Sequence, residues 1–100
     1  MTKNEKAGLT NGLQIVLAVM ELVRRYDKSR LEAIQEVASN RGITRATVLD
    51  KCCRRLELKA ERFDKMLNSP KMHDLRKILN KKFPDNAEVI NKTMDGLIVK

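Results

Sequence analysis

Residues 29–56 read SRLEAIQEVASNRGITRATVLDKCCRRL, and the fold turns on how this stretch is divided. Helix signals occur twice in it, on either side of a glycine. Ser29-Arg30-Leu31-Glu32 has the spacing of a capping box: the serine hydroxyl satisfies the amide three residues on, and the glutamate reaches back to the serine amide. A helix over 30–40 then sets Leu31, Ile34, Val37 and Ala38 on one face, with Glu32, Gln35, Glu36 and Ser39 outside. Asn40-Arg41-Gly42 ends it, since glycine enters a left-handed backbone conformation without steric cost. Thr44 supplies a hydroxyl cap for a second helix over 45–57. In that helix Val48, Cys52 and Leu56 recur every fourth residue as a buried stripe, and Leu49 sits at its border.

Upstream, Thr10 or Asn11 caps a helix running to about Tyr26, and residues 1–9 read as a frayed leader. At 100° per residue, Leu13, Ile15, Val16, Leu17, Ala18, Val19, Met20, Leu22 and Val23 cover most of the circumference. Only Gln14, Glu21 and Arg25 form a polar strip. A helix apolar nearly all round must be covered on nearly all sides. Two arrangements satisfy this: a homodimer through residues 13–26, which is the expectation, or a central helix wrapped by the rest of its own chain.

Downstream, 60–67 offers Phe63, Met66 and Leu67 to a core. Ser69-Pro70 reads as a cap with proline at the first helical position, opening a helix to about Lys82 with Met72, Leu75, Ile78 and Leu79 apolar. Phe83-Pro84 closes that helix. Asp85-Asn86-Ala87-Glu88 is a second capping-box pattern before a short helix carrying Val89, Ile90 and Met94, with Gly96 as its end. Strand-like alternation is scarce. The chain therefore reads as one all-α domain of about five or six helices containing a helix-turn-helix, its 100 residues suiting a single core.

Twenty-one Lys and Arg against 13 Asp and Glu give a net charge of +8, which points to an anionic partner, nucleic acid before a membrane surface. Eight of the cations, against three acids, fall in residues 59–82, so the excess does not reside in a tail. The apolar run at 15–20 stops at Glu21, too short to span a bilayer, and the first residues lack the order of a signal peptide. Cys52 and Cys53 are adjacent and diverge on a helix, so they read as free thiols in a reducing cytoplasm. Cys52 falls on the buried stripe and Cys53 nearer the rim, where it either stays an ordinary thiol or has its pKa lowered by Lys51, Arg54 and Arg55. His73, the single histidine, lacks an acid–base partner and reads as a surface residue. With no metal-ligand spacing, glycine-rich phosphate loop or nucleophile–base pair, the residues predict neither an enzyme nor a cofactor.

Short helices joined by a turn with glycine make a helix-turn-helix, and the residue types suit its mechanics. Ala38 is small where the helices cross, Gly42 follows four residues on, Ile43 plugs the turn and Thr44 caps the second helix. The stretch 37–48 is similar to the motif of response-regulator effector domains and of the promoter-reading region of sigma factors. The resemblance covers residues 30–57. It implies sequence-specific binding of double-stranded DNA, in a transcriptional regulator or a mobile-element protein, with the second helix in the major groove. Carried onto this chain, Ala46, Thr47, Asp50, Lys51 and Arg54 face the bases, and Thr44, Arg45 and Arg55 lie near phosphates. Arg54 suits guanine, and Ala46 and Thr47 suit a thymine methyl. Asp50 departs from the pattern: it either accepts from a cytosine amino group or pairs with Arg54. Lys59, Lys65, Lys71, Arg76, Lys77, Lys81 and Lys82 either extend the phosphate contacts or form a solvated face. The alternative function is a helical protein–protein interaction module without nucleic-acid binding; a third, RNA recognition through residues 59–82, also stays open.

Overall fold

The computed structural model describes residues 11–70 and 72–98. They form six α-helices: α1 (Asn11–Arg25), α2 (Arg30–Arg41), α3 (Arg45–Leu49), α4 (Ala60–Asn68), α5 (His73–Lys82) and α6 (Ala87–Ile98). A π-helical turn, Asp50–Arg54, continues α3, and a 3-10 turn, Pro84–Asn86, leads into α6. The all-α expectation holds, with no strand among the described residues. The leader at 1–9, the cap at Thr10 and Lys71 lie outside them.

α1 is the axis of the domain. It packs against α2, the π turn, α4 and α6. Leu13, Ile15, Val16, Val19 and Met20 are fully buried, Val23 nearly so, and Leu17, Ala18 and Leu22 are half-buried against the same core. Each such aliphatic side chain contributes on the order of 1.5–3 kcal/mol when removed from water. The chain itself covers most of the apolar circumference that suggested a homodimer through residues 13–26, and leaves Leu17, Ala18 and Leu22 partly open. Its polar strip stays at the surface, with Arg25 paired to Glu21 at 3.3 Å.

The N-terminal half follows its local signals. Ser29 Oγ accepts from the Glu32 amide at 3.1 Å and the Ser29 amide donates to Glu32 Oε1 at 3.0 Å, completing the capping box. Gly42, at φ +66°, closes α2. The Ile43 amide reaches back to the Ala38 carbonyl and the Gly42 amide to that of Ser39, the hydrogen-bond pair of a Schellman motif. One residue departs: Leu31, expected on the buried face, is 68% exposed. Ala33 joins Ile34, Val37 and Ala38 in the core instead. Leu31 stands at the edge of that stripe in the first turn, beyond the cover that α1 provides.

The C-terminal half departs more. Ser69 is the end of α4, not the cap of α5, and Pro70 lies in the connecting turn. α5 begins after Met72, which is fully buried and adopts φ 47°. Burial of a methionine outweighs a left-handed conformation that costs about 1–2 kcal/mol. Arg24, from the end of α1, donates to the carbonyls of Leu67 (3.2 Å), Ser69 (3.1 Å) and Pro70 (2.7 Å). Those carbonyls lie at and just beyond the end of α4, where a helix leaves acceptors without intrahelical partners, and that of Ser69 also accepts from the Met72 amide at 3.2 Å. The 3-10 turn occupies the position of the second expected capping box. α6 runs through Gly96 to Ile98, because burying Leu97, only 2% exposed, exceeds the roughly 1 kcal/mol that a helical glycine costs.

Candidate nucleic-acid interface

The turn between α2 and α3 is three residues long, and each has one task. Gly42 reverses the chain, Ile43 packs against the core, and Thr44 caps α3. The Thr44 hydroxyl accepts from the Thr47 amide at 3.1 Å, and the two threonine hydroxyls lie 2.9 Å apart. Val48, Cys52 and Leu56 are buried, as the four-residue spacing predicts, and they fix which side of the segment faces out.

The outward side differs from that of a uniform helix. From Asp50 to Arg54 the backbone widens into a π turn, with the Arg55 amide reaching the Asp50 carbonyl five residues back at 3.0 Å. A π turn holds more residues than an α turn, so the adjacent pair Cys52 and Cys53 both reach the core. Cys53 is 6% exposed, not at the rim. Burial pushes the Cys52 thiol far above its ordinary pKa, with Cys53 as a secondary cause. It raises Cys53 as well, against a smaller opposing effect of Arg30. The basic neighbours on the segment therefore do not activate Cys53. The segment ends as α2 does: the Leu58 amide reaches Cys53 and the Glu57 amide reaches Arg54, with Glu57 at φ 59° in the place of glycine.

Of the eight residues the resemblance assigns to DNA, Thr44, Arg45, Ala46, Arg54 and Arg55 are exposed. Thr47 is half-buried with its hydroxyl turned to the cap. Asp50 pairs with Arg54 at 3.6 Å, one of its two expected roles, and the Arg54 side chain remains 88% exposed. Lys51 is half-buried with its stem beside Gly12: a Cβ on that glycine would stand 3.8 Å from Lys51 Cδ. Its position is therefore on the α1 side of the segment. Arg41 donates weakly to Gln14 Oε1 at 3.5 Å, holding the turn to the same end of α1.

The basic residues of 59–82 divide by partner. Arg76 binds Asp95 at 2.6 Å and Lys82 binds Glu57 at 3.1 Å, so these two are tied into the fold's surface. Lys59, Lys65, Lys77 and Lys81 are exposed. Arg62, absent from the expected phosphate contacts, is exposed beside Lys65 on a hollow of about 180 Å³; its spacing of three from Lys65 on a helix was the available signal. The outer side of α2 is acidic: Glu32 and Glu36 border a hollow with Gln35, Ser39 and Asn40. Of the helices after it, α5 carries the clearest excess of positive charge, with Arg76, Lys77, Lys81 and Lys82 against Asp74. His73 is exposed, and no metal-binding group of His, Cys, Asp and Glu occurs among the described residues. No described helix is long and apolar enough to cross a membrane.

No protein-family model matches the chain, and neither does any curated protein or solved structure.

Proposed function

We propose that this chain binds double-stranded DNA at specific sequences, laying α3 in the major groove, and acts as a transcriptional regulator or mobile-element protein. The observation that carries the reading is the division of one short helical segment. Val48, Cys52, Cys53 and Leu56 anchor its inner side, and Thr44, Arg45, Ala46, Arg54 and Arg55 stand exposed around the other. In this reading Arg54 donates to a guanine edge and Ala46 meets a thymine methyl. Thr44, Arg45 and Arg55 hold phosphates, and the exposed cations of α4 and α5 extend that contact. In this reading a homodimer places one chain on each half-site, its two copies meeting outside the part of α1 that is fully buried in the core.

The test is selection of bound sequences from random duplex DNA, followed by anisotropy titration at several salt concentrations. The expected result is an enriched site whose affinity falls steeply with salt as counterions are released. Arg54→Ala is expected to cost about 1–3 kcal/mol and to relax preference at one base pair. Absence of enrichment, or an affinity indifferent to salt, would overturn the reading.

A further inference from the structure

We infer that the open groove between α2 and α3 docks an acidic amphipathic segment of a partner protein. The groove encloses about 610 Å³. Leu31, Ile34, Ala46 and Leu49 give it an apolar floor, and Arg30 and Arg45 stand among its walls. Leu31 is 68% exposed, the most exposed large hydrophobic residue of the described chain. It lies on the first turn of α2, where its side chain adds nothing to the core.

Charge decides the kind of occupant. Among the described residues no acidic one lines the groove, although Glu32 and Glu36 lie on the same helix. Arg30 is held with its side chain only 20% exposed. Its buried Nε forms an ion pair with Asp64 at 3.6 Å and no hydrogen bond among the described residues. Its Nε is thus occupied by the Asp64 ion pair and closed to a ligand; the terminal guanidinium nitrogens are the donors an incoming carboxylate would meet, and such charge-assisted bonds are the stronger kind. Arg45 is exposed at the opposite wall. A leucine or phenylalanine on the floor with a carboxylate between the two arginines satisfies both parts of the site. A nucleic-acid backbone supplies the anion but no aliphatic side chain, and a membrane surface does not enter a groove between two helices.

Thr44, Arg45 and Ala46 border this groove and also belong to the proposed DNA-contacting set. Taken with that reading, an occupant and duplex DNA exclude each other, so the partner would act as an antagonist of DNA binding.

The experiment uses the full chain and a short fluorescent peptide of Asp, Leu and Phe with helical amphipathic spacing. A second peptide carries Asn in place of each Asp. The acidic peptide is expected to bind saturably, and Leu31→Ser and Arg45→Glu are each expected to weaken it by about tenfold or more. Leu31→Ser leaves the helical circular dichroism and the duplex affinity unchanged, since Leu31 is outside both the core and the DNA-contacting set. Equal binding of the Asn peptide, or wild-type affinity in Leu31→Ser, overturns the proposal. So does self-association in sedimentation that Leu31→Ser abolishes, because a second copy then covers the groove. If the peptide binds as expected and no duplex is bound at any salt concentration, the docking site stands and the DNA reading fails.

Discussion

The two junctions α2–α3 and α4–α5 are each a short connection between helices, and each contains a residue in the left-handed backbone region. At the first, that residue is Gly42, exposed, and a Cβ built on it would meet nothing within 4 Å. At the second it is Met72, fully buried. Gly42 is placed by its own conformational freedom, and its neighbours Ile43 and Thr44 carry complementary local roles. Met72 is placed by the core, against its own backbone preference, and an arginine from a distant helix holds the carbonyls beside it. One junction is built from local chemistry and the other from tertiary packing.

Substitutions at the two left-handed positions break this comparison most directly. Met72→Ala removes a buried side chain and keeps the strained backbone, with an expected loss of about 2–5 kcal/mol in denaturant unfolding. Met72→Gly recovers about 1 kcal/mol of strain and is still expected to be less stable than the wild type. A Met72→Gly chain more stable than wild type would show that local strain, not packing, governs the second junction. Arg24→Ala removes three hydrogen bonds to carbonyls and is expected to cost about 1–3 kcal/mol, with faster amide exchange at the end of α4 than in α2. Gly42→Ala meets no steric obstacle, so its expected cost is the backbone term alone, about 1–2 kcal/mol.

The smallest effect is on pH dependence. The Ser29 amide and hydroxyl bonds hold the Glu32 carboxyl below its ordinary pKa in the folded chain. A depressed folded pKa stabilises above the unfolded value and is lost as pH falls through the folded one. Stability is therefore expected to decline in acid, and Glu32→Gln to show a shallower decline through the same window. Parallel acid profiles for the two chains would remove the capping box from that account.

Legibility follows the same division. Ser29, Glu32, Gly42 and Thr44 act on backbone atoms within three or four residues, so their spacing alone announces both helix ends. Val48, Cys52 and Leu56 were equally readable, because a four-residue step holds on any α-helix. The π turn was not: its one sign is the adjacent pair Cys52 and Cys53, which a uniform helix assigns to different faces. Glu57 gave no sign of a left-handed cap, and Gly96 signalled an end that the burial of Leu97 overrides. Of the eight candidate contact residues, exposure at Thr44, Arg45, Ala46, Arg54 and Arg55 follows from the stripe opposite them. The inward turn of the Thr47 hydroxyl and the lean of Lys51 onto α1 depend on neighbours that no local spacing specifies.

The sequence by itself determined an all-α chain, the capped and glycine-closed turn between α2 and α3, and the buried stripe of the second helix. Each of these rests on interactions that close within one or two helical turns. Only the tertiary structure decided that α1 is mostly covered by its own chain, that Met72 and not Ser69 precedes α5, and that Leu31 stands over an open groove. An apolar side chain records that it needs cover, but what supplies the cover is set by helices brought together from across the chain.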